Sequence, residues 1–122
     1  MSHPGVVFVI DDDPSVRSSL EFLIGSMGLQ VESFATTDAF LQRGPTDVPS
    51  CLVLDIRLRG VSGLEFQREL NERHRPLPII FITGYGDIRM GVGAMKAGAV
   101  AFLLKPVDVP HLTGCIEKVA PA

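Results

Sequence analysis

Short segments with strand character recur along the chain, and each is followed by a stretch whose apolar residues are spaced three and four apart. Residues 6–10, 51–54, 79–82 and 101–104 are apolar throughout, and residues 29–34 form a more polar strand candidate. Short strands that are apolar at every position are typical of a parallel sheet that is covered on both faces. Five strands alternating with helices therefore predict an α/β fold, in which right-handed crossovers place helices on both sides of the sheet.

Each predicted helix has a candidate N-cap, a polar side chain that accepts a hydrogen bond from a free amide of the first turn. These residues are Asp13, Thr36 or Thr37, Ser62, Asp87 and Asp108. Pro14 suits the first position of the first helix, and Glu65 gives the start of the third helix the spacing of a capping box. We expect Gly28 and Gly98 to end the first and fourth helices.

Polar side chains follow four of the five predicted strands at the point where each strand ends. They are Asp11 and Asp12, Asp55, Thr83 and Lys105. The carboxyl ends of parallel strands lie at one edge of the sheet, and ligands bind there at the point where neighbouring connections diverge to opposite faces. These side chains converge if the strands lie in the order 2-1-3-4-5. We therefore expect three carboxylates, a hydroxyl and an ammonium group in one cleft.

Three carboxylates in one cleft repel one another, by about 1 kcal/mol per pair at 4 Å in water and by about 4 kcal/mol at an effective dielectric constant of 20. A proton or a cation must offset this repulsion. Oxygen ligands without a neighbouring histidine or thiol favour a hard cation that keeps several waters, which is typical of Mg²⁺. Because Lys105 adds a second positive charge and Thr83 a hydroxyl donor, the cleft suits phosphoryl transfer to a carboxylate.

The composition argues against several other classes of protein. A chain of 122 residues suits one domain with its own core, and its net charge of −3 provides no positive surface for nucleic acid, so we expect DNA binding only through another domain. Cys51 and Cys115 are too few for a disulfide framework, and we expect both to be reduced core thiols. The apolar runs are shorter than the roughly 20 residues of a membrane span, so we expect a cytoplasmic domain without membrane contact.

Five motifs in this order resemble the receiver domain of bacterial two-component response regulators, which has a flavodoxin-like fold. They are Asp11-Asp12, Asp55, Thr83-Gly84, Phe102 and Lys105-Pro106. The resemblance covers residues 5–119 and implies one receiver domain over residues 1–122, in which residues 120–122 are expected to begin a linker. Residues 83–87 and 94–100 look most like the nitrogen-fixation-type subgroup, whose receivers are usually followed by a LuxR-type helix-turn-helix.

The resemblance implies a role for each matching residue. Asp55 is expected to accept a phosphoryl group from a sensor histidine kinase. Asp12, Asp55 and the backbone carbonyl of Arg57 are expected to ligate Mg²⁺, with Asp11 acting through a water molecule. Lys105 is expected to pair with the phosphate and Thr83 to move towards it.

Phe102 is then expected to swing inward, which would change the face formed by the fourth helix, the fifth strand and the fifth helix. The expected result is a homodimer that forms on phosphorylation and acts on DNA through an output domain outside this chain. The resemblance also implies that Arg57, Gly84 and Tyr85 flank the phosphate and that the peptide bond before Pro106 is cis.

One departure from the family pattern concerns the loop after Asp55. Leu58-Arg59 stands where the family commonly has Met-Pro, so the sequence does not decide how rigid this loop is. Two alternatives exist for Arg59: it adds positive charge near the phosphate, or it lies in solvent at the rim of the cleft.

Two other functions compete with the phosphorylated switch. The chain resembles a haloacid-dehalogenase-type phosphatase in one respect, since an apolar strand runs into Asp11-Asp12-Asp13, and Asp11 would then be the nucleophile. That scheme has no use for Asp55 and leaves no room for a substrate-selecting cap. The other alternative is a receiver-shaped interaction module that carries no phosphate.

Overall fold

A computed structural model describes residues 5–58, 60–75, 77–84 and 88–119 of the chain. Strands and helices alternate, as the spacing of the apolar residues predicts. The elements are β1 (Val6–Ile10), α1 (Pro14–Gly25), β2 (Gln30–Phe34), α2 (Thr37–Arg43), β3 (Ser50–Asp55), α3 (Gly63–Glu72), β4 (Ile79–Thr83), α4 (Ile88–Lys96), β5 (Ala101–Leu104) and α5 (Val109–Val119).

All neighbouring strands in the sheet are parallel, and their order is β2-β1-β3-β4-β5. The predicted strand order is therefore confirmed. Ile10 at the end of β1 pairs with Leu54 of β3, and Asp55 pairs with Ile82 of β4. This register places Asp11 and Asp55 one residue beyond the Ile10–Leu54 pair, at the same edge of the sheet.

Alternate residues of each strand point to opposite faces, so the sheet separates two hydrophobic clusters. Odd-numbered residues of β1 and β3 pack with α1 and α5, in a cluster that includes Val9, Val53 and Ile116. Even-numbered residues of the same strands pack against α2, α3 and α4, in a cluster that includes Phe8 and Phe66. Burial on both faces explains why these strands are apolar at every position.

Side-chain caps begin the first three helices. The side chain of Asp13 accepts a hydrogen bond from the Ser15 amide at 2.9 Å, and Ser62 accepts one from the Glu65 amide at 3.1 Å. Thr36, and not Thr37, caps α2, through a 3.1 Å bond from the Ala39 amide. Thr37 is instead the first helical residue.

Of the remaining predicted helix boundaries, one lies outside the described residues and the others are close to the observed ones. The backbone carbonyl of Asp108 accepts a bond from Leu112 at 3.0 Å, whereas Asp87 lies outside the described residues. Helix α1 ends at Gly25, three residues before Gly28. Residues 26–28 form a turn, in which Gly28 has a φ of 82°. Gly98 follows α4 with a φ of 104°, a conformation that glycine adopts without steric cost.

Both cysteines are free and buried, in the cluster that contains α1 and α5. Burial raises the pKa of the Cys51 thiol to about 12, which suits an inert core residue. Among the helices in the described part of the chain, none is long and apolar enough to span a membrane.

Candidate phosphoacceptor and metal site

Three carboxylates meet at the carboxyl edge of the sheet. Asp11 and Asp12 follow β1, and Asp55 is the last residue of β3, so the pairing of these two strands brings the three side chains together. One oxygen from each lies within 4.8 Å of the others. Asp11 and Asp55 are buried, whereas Asp12 is half-buried at the mouth of the cluster.

The Lys105 ammonium group lies against this cluster from the end of β5. Its Nζ atom donates to Oδ2 of Asp55 at 3.1 Å and lies 3.4 Å from Oδ2 of Asp11. The carboxylates and the ammonium group together carry three negative charges and one positive charge, so the site has a net charge of −2. A single lysine therefore leaves part of the repulsion uncompensated.

Burial and charge shift the pKa values of two of these groups. Removal from water raises the pKa of Asp55, and the neighbouring Asp11 raises it further, while the Arg57 amide and Lys105 act in the opposite direction without reversing the shift. Burial lowers the pKa of Lys105, but its contacts with Asp55 and Asp11 outweigh that effect, so its pKa is raised. Lys105 is therefore a cation at neutral pH, and ionised Asp55 is held at an energetic cost.

Backbone amides in the loops that follow β1 and β3 fix the orientation of the buried carboxylates. The Arg57 amide donates to Oδ1 of Asp55 at 3.1 Å, and the Asp13 amide donates to Oδ1 of Asp11 at 2.9 Å. In each case the donor is two residues beyond the aspartate. The second oxygen of each carboxylate is thus turned towards the cluster.

Arg17 is a contact of this site that the sequence reasoning missed. Its Nη1 atom donates to the backbone carbonyl of Asp11 at 2.7 Å and so anchors the junction of β1 and α1. A signal was available, because helical side chains point back towards the N-terminus of their helix, and Arg17 lies in the first turns of α1.

Thr83 reaches the same edge as the last residue of β4, and the Lys105 amide donates to its backbone carbonyl at 2.8 Å. The Thr83 side chain is buried, and its hydroxyl donates to the Gly84 carbonyl at 3.3 Å. The hydroxyl is therefore bonded within its own loop, and a rotation about the side-chain bond would be needed to redirect it.

Phe102 does not lie in the carboxylate cluster. It pairs in register with Phe81 of β4, two residues before the end of β5, and packs half-buried against the α3 and α4 side of the core. Pro106 follows Lys105 through a cis peptide bond. Tyr85 and Arg59, for which the sequence suggested roles beside a phosphate, lie outside the described residues.

The donor set fits a hard divalent cation. Oδ2 of Asp11 is buried and makes no hydrogen bond within the described ranges, and its contact with the Lys105 ammonium group is an ion pair of 3.4 Å. A buried carboxylate oxygen without a hydrogen bond is costly. Three carboxylates that supply oxygen ligands on one side match the way in which proteins hold Mg²⁺, which prefers few protein ligands and several waters.

The fold and this arrangement of carboxylates, lysine and threonine are those of a signalling receiver. The sequence profile of the response regulator receiver domain matches residues 7–117. The chain therefore belongs to the response regulator receiver domain family.

Particular relatives narrow the resemblance. Nodulation protein W of Bradyrhizobium diazoefficiens is 54% identical over 105 residues, which cover 86% of this chain and 46% of that protein. Transcriptional regulatory protein FixJ of the same organism is 42% identical over 117 residues, which cover 96% of this chain and 57% of that protein. The predicted similarity to nitrogen-fixation-type regulators is confirmed.

The solved structure of a protein with the same name as one of these relatives has the same fold as this chain. The crystal structure of FixJ-N superimposes with a TM-score of 0.85 at 38% identity, covering 98% of this chain and 94% of that one. The chain spans about half the length of the two curated relatives.

Proposed function

We propose that this domain is a switch that is turned on when Asp55 accepts a phosphoryl group. The observation that supports this most directly is the position of Asp55, whose Oδ2 atom is 3.1 Å from the Lys105 ammonium group inside a cluster of three carboxylates. Asp55 is the only one of the three that lies on the central strand β3. The phosphodonor is proposed to be the phosphohistidine of a sensor kinase.

The transfer forms one bond and breaks one. A carboxylate oxygen of Asp55 attacks phosphorus, and the bond from phosphorus to the histidine nitrogen breaks, with its electron pair leaving on the nitrogen. The product is an aspartyl phosphate. Because phosphoryl transfer involves a transition state with charge spread over its oxygens, positioning and charge neutralisation supply most of the catalysis.

The residues of the cluster have separate tasks in this scheme. Asp12, Asp55 and the Arg57 carbonyl are proposed to hold Mg²⁺, with Asp11 acting through a water molecule; the bound ion would neutralise charge on the transferred group. Lys105 is already beside Oδ2 of Asp55 and would pair with a phosphoryl oxygen. Thr83 would exchange its bond to the Gly84 carbonyl for one to the phosphate.

The output is proposed to be dimerisation through the exposed surface of α4, β5 and α5. Four apolar residues of these elements are 38% to 46% exposed: Val92, Met95, Leu104 and Val109. The new charge at Asp55 would act on this surface through Thr83 and Phe102, which lie on β4 and β5. Similarity to a transcriptional regulatory protein supports a DNA-binding output domain outside this chain.

The domain itself is proposed to act in the cytoplasm. It is proposed to be one unit over residues 1–122, in which residues 120–122 begin a linker.

The test is the intact mass of the purified domain after incubation with acetyl phosphate and Mg²⁺. Wild type is expected to gain the mass of one phosphoryl group, and Asp55→Asn is expected to gain none. Asp11→Asn is the matched control, because it removes a neighbouring carboxylate without removing the acceptor. It is expected to react more slowly but still to gain mass.

Two outcomes would contradict this assignment. A mass gain that survives Asp55→Asn and disappears in Asp11→Asn would make Asp11 the nucleophile, as in a haloacid-dehalogenase-type phosphatase. A wild-type protein that gains no mass from acetyl phosphate or from a phosphorylated histidine kinase domain would indicate an interaction module that carries no phosphate.

A further inference from the structure

The ring of Phe102 lies so close to helix α4 that only glycine fits beneath it. A Cβ atom built on Gly91 would lie 2.6 Å from Cδ2 and Cε2 of the ring and 2.8 Å from Cγ. Carbon atoms that are not bonded to each other make their best contact at about 3.5 to 4.0 Å. Any side chain at position 91 therefore excludes the observed position of the ring.

Gly91 and Phe102 differ in how deeply they are buried. Gly91 is buried, as is Ala94 three residues further along α4, and Ala94 packs in the cluster that Phe102 joins. Phe102 itself is only half-buried, and a phenylalanine side chain moves by rotation about two bonds. A Cβ at position 91 would therefore force the ring out of its observed position.

The observed ring position occurs together with one particular orientation of Thr83. Thr83 and Leu104 are paired in the sheet, so Thr83 lies on the strand next to Phe102. In the same structure the Thr83 hydroxyl donates to the Gly84 carbonyl. The structure, in which Asp55 is unmodified, therefore combines a ring packed against α4 with a Thr83 hydroxyl bonded within its own loop.

We propose that Gly91 is a positioning residue that stabilises the resting state of the switch, because it leaves room for the Phe102 ring to pack on α4. We call this space at Gly91 the seat of the ring. A side chain at position 91 removes that seat and shifts the domain towards the arrangement in which the ring has moved and Thr83 is available to the phosphoryl group. The inference deepens the proposed function, because it takes Thr83 and Phe102 as the moving parts. A change that destabilises the resting state must strengthen the binding of any ligand that prefers the other state.

Gly93 provides a matched control for the first experiment, a double-mutant cycle on thermal stability. It lies in the same helix, and outside that helix's own backbone no heavy atom of the described chain lies within 4 Å of its built Cβ. Gly93→Ala is expected to raise Tm by about 3 °C, since alanine favours a helix over glycine. Gly91→Ala is expected to lower Tm in wild type, and to raise it as much as Gly93→Ala does when Phe102→Ala is also present.

The second experiment measures the affinity of the metal-loaded domain for beryllofluoride, a stable mimic of the phosphoryl group on aspartate. Gly91→Ala is expected to bind it about 5- to 10-fold more tightly than wild type, which is the lower end of the usual range of coupling between two sites. Gly93→Ala is expected to match wild type. Adding Gly91→Ala to Phe102→Ala is expected to cause no further change, because the ring on which Gly91 acts is gone.

Two results would overturn the proposal. A Gly91→Ala variant that is stabilised as much as Gly93→Ala would show that the ring does not occupy the seat. A stability coupling between positions 91 and 102 with unchanged beryllofluoride affinity would show that the contact is packing without control of the switch. Failure of the proposed function is distinguishable, since a wild type that binds no beryllofluoride and gains no phosphoryl mass would contradict the function, while the stability cycle would still report on the contact.

Discussion

Asp55 combines two properties that oppose each other in an ordinary carboxylate. It is buried beside a second buried aspartate, which makes ionisation costly, and it contacts the Lys105 ammonium group and the Arg57 amide, which favour ionisation. The net result is a raised pKa. The metal-free domain therefore holds a strained charge at the position where a cation or a phosphoryl group with its cation would relieve it.

This strain predicts that Asp55→Asn stabilises the metal-free domain at neutral pH. In the unfolded chain an aspartate titrates near its ordinary pKa of 3.8, whereas in the folded domain the pKa of Asp55 is higher. As pH rises from 3.8 to the folded pKa, the unfolded chain loses its proton first, so ionisation favours unfolding in that window and the cost stays constant above it. The variant avoids this cost.

We expect the free energy of unfolding to be about 1 to 2 kcal/mol higher for Asp55→Asn than for wild type at pH 7. The measurement is urea denaturation in buffer with a chelator. The difference should shrink as pH falls towards 3.8, and added Mg²⁺ should stabilise wild type more than the variant. A difference that is the same at every pH would show that the substitution acts through packing and not through charge.

At the scale of the helices and strands, two glycines allow helices to lie directly on the sheet. Gly63 begins α3, and its amide donates to the Ile56 carbonyl at 2.7 Å. A Cβ built there would lie 2.8 Å from the Asp55 carbonyl oxygen and 2.9 Å from Cα of Ile56. The helix start thus packs on the backbone that carries the phosphoacceptor, while Gly91 plays the corresponding part for α4 and Phe102.

Gly63→Ala is expected to lower the free energy of unfolding by about 1 to 3 kcal/mol, because backbone atoms cannot turn away from the added methyl group as a side chain can. The control is Gly114→Ala in α5, where the built Cβ meets no heavy atom within 4 Å in the described chain outside its own helix backbone. That change should raise stability by up to about 1 kcal/mol. Denaturation midpoints in urea measure both, and equal stabilisation by the two alanines would refute the close packing of α3.

At the scale of the whole molecule, the exposed apolar side chains are unevenly distributed. Val92, Met95, Leu104 and Val109 lie on α4, β5 and the start of α5, whereas Phe22 is exposed on α1. Apolar side chains that lie together on a surface mark a place where another protein binds, so these four positions are the ones at which to test the proposed interface. The carboxylate cluster, in contrast, lies at the edge of the sheet, so the proposed signal must travel through the ends of β4 and β5.

This layout predicts that Leu104→Asp prevents dimerisation without preventing phosphorylation. Wild type treated with beryllofluoride and Mg²⁺ is expected to sediment as a dimer, and the variant as a monomer that still gains phosphoryl mass from acetyl phosphate. Phe22→Asp is the matched control, because it places the same charge at an exposed apolar position on α1, and it should dimerise as wild type does. Loss of dimerisation in both variants, or in neither, would place the interface elsewhere.

The sequence by itself determined the fold class, the strand order and most of the site. Strands that are apolar at every position require cover on both faces, and this local property leaves few topologies open. Asp11, Asp12, Asp55 and Lys105 could be assigned to one edge because each directly follows or ends a predicted strand. The caps at Asp13 and Ser62 could also be predicted, because capping depends on residues that are close together in the chain.

Only the tertiary structure decided which contacts form between elements. Three features depend on distances across the sheet edge: the pairing of Lys105 with Asp55, the bond from Arg17 to the Asp11 carbonyl, and the Asp11 oxygen that lacks a hydrogen bond. The seats provided by Gly63 and Gly91 depend on how closely a helix approaches a strand. In the sequence these two glycines look like any other helical glycine, because local spacing carries no information about what packs against the space where a side chain would be.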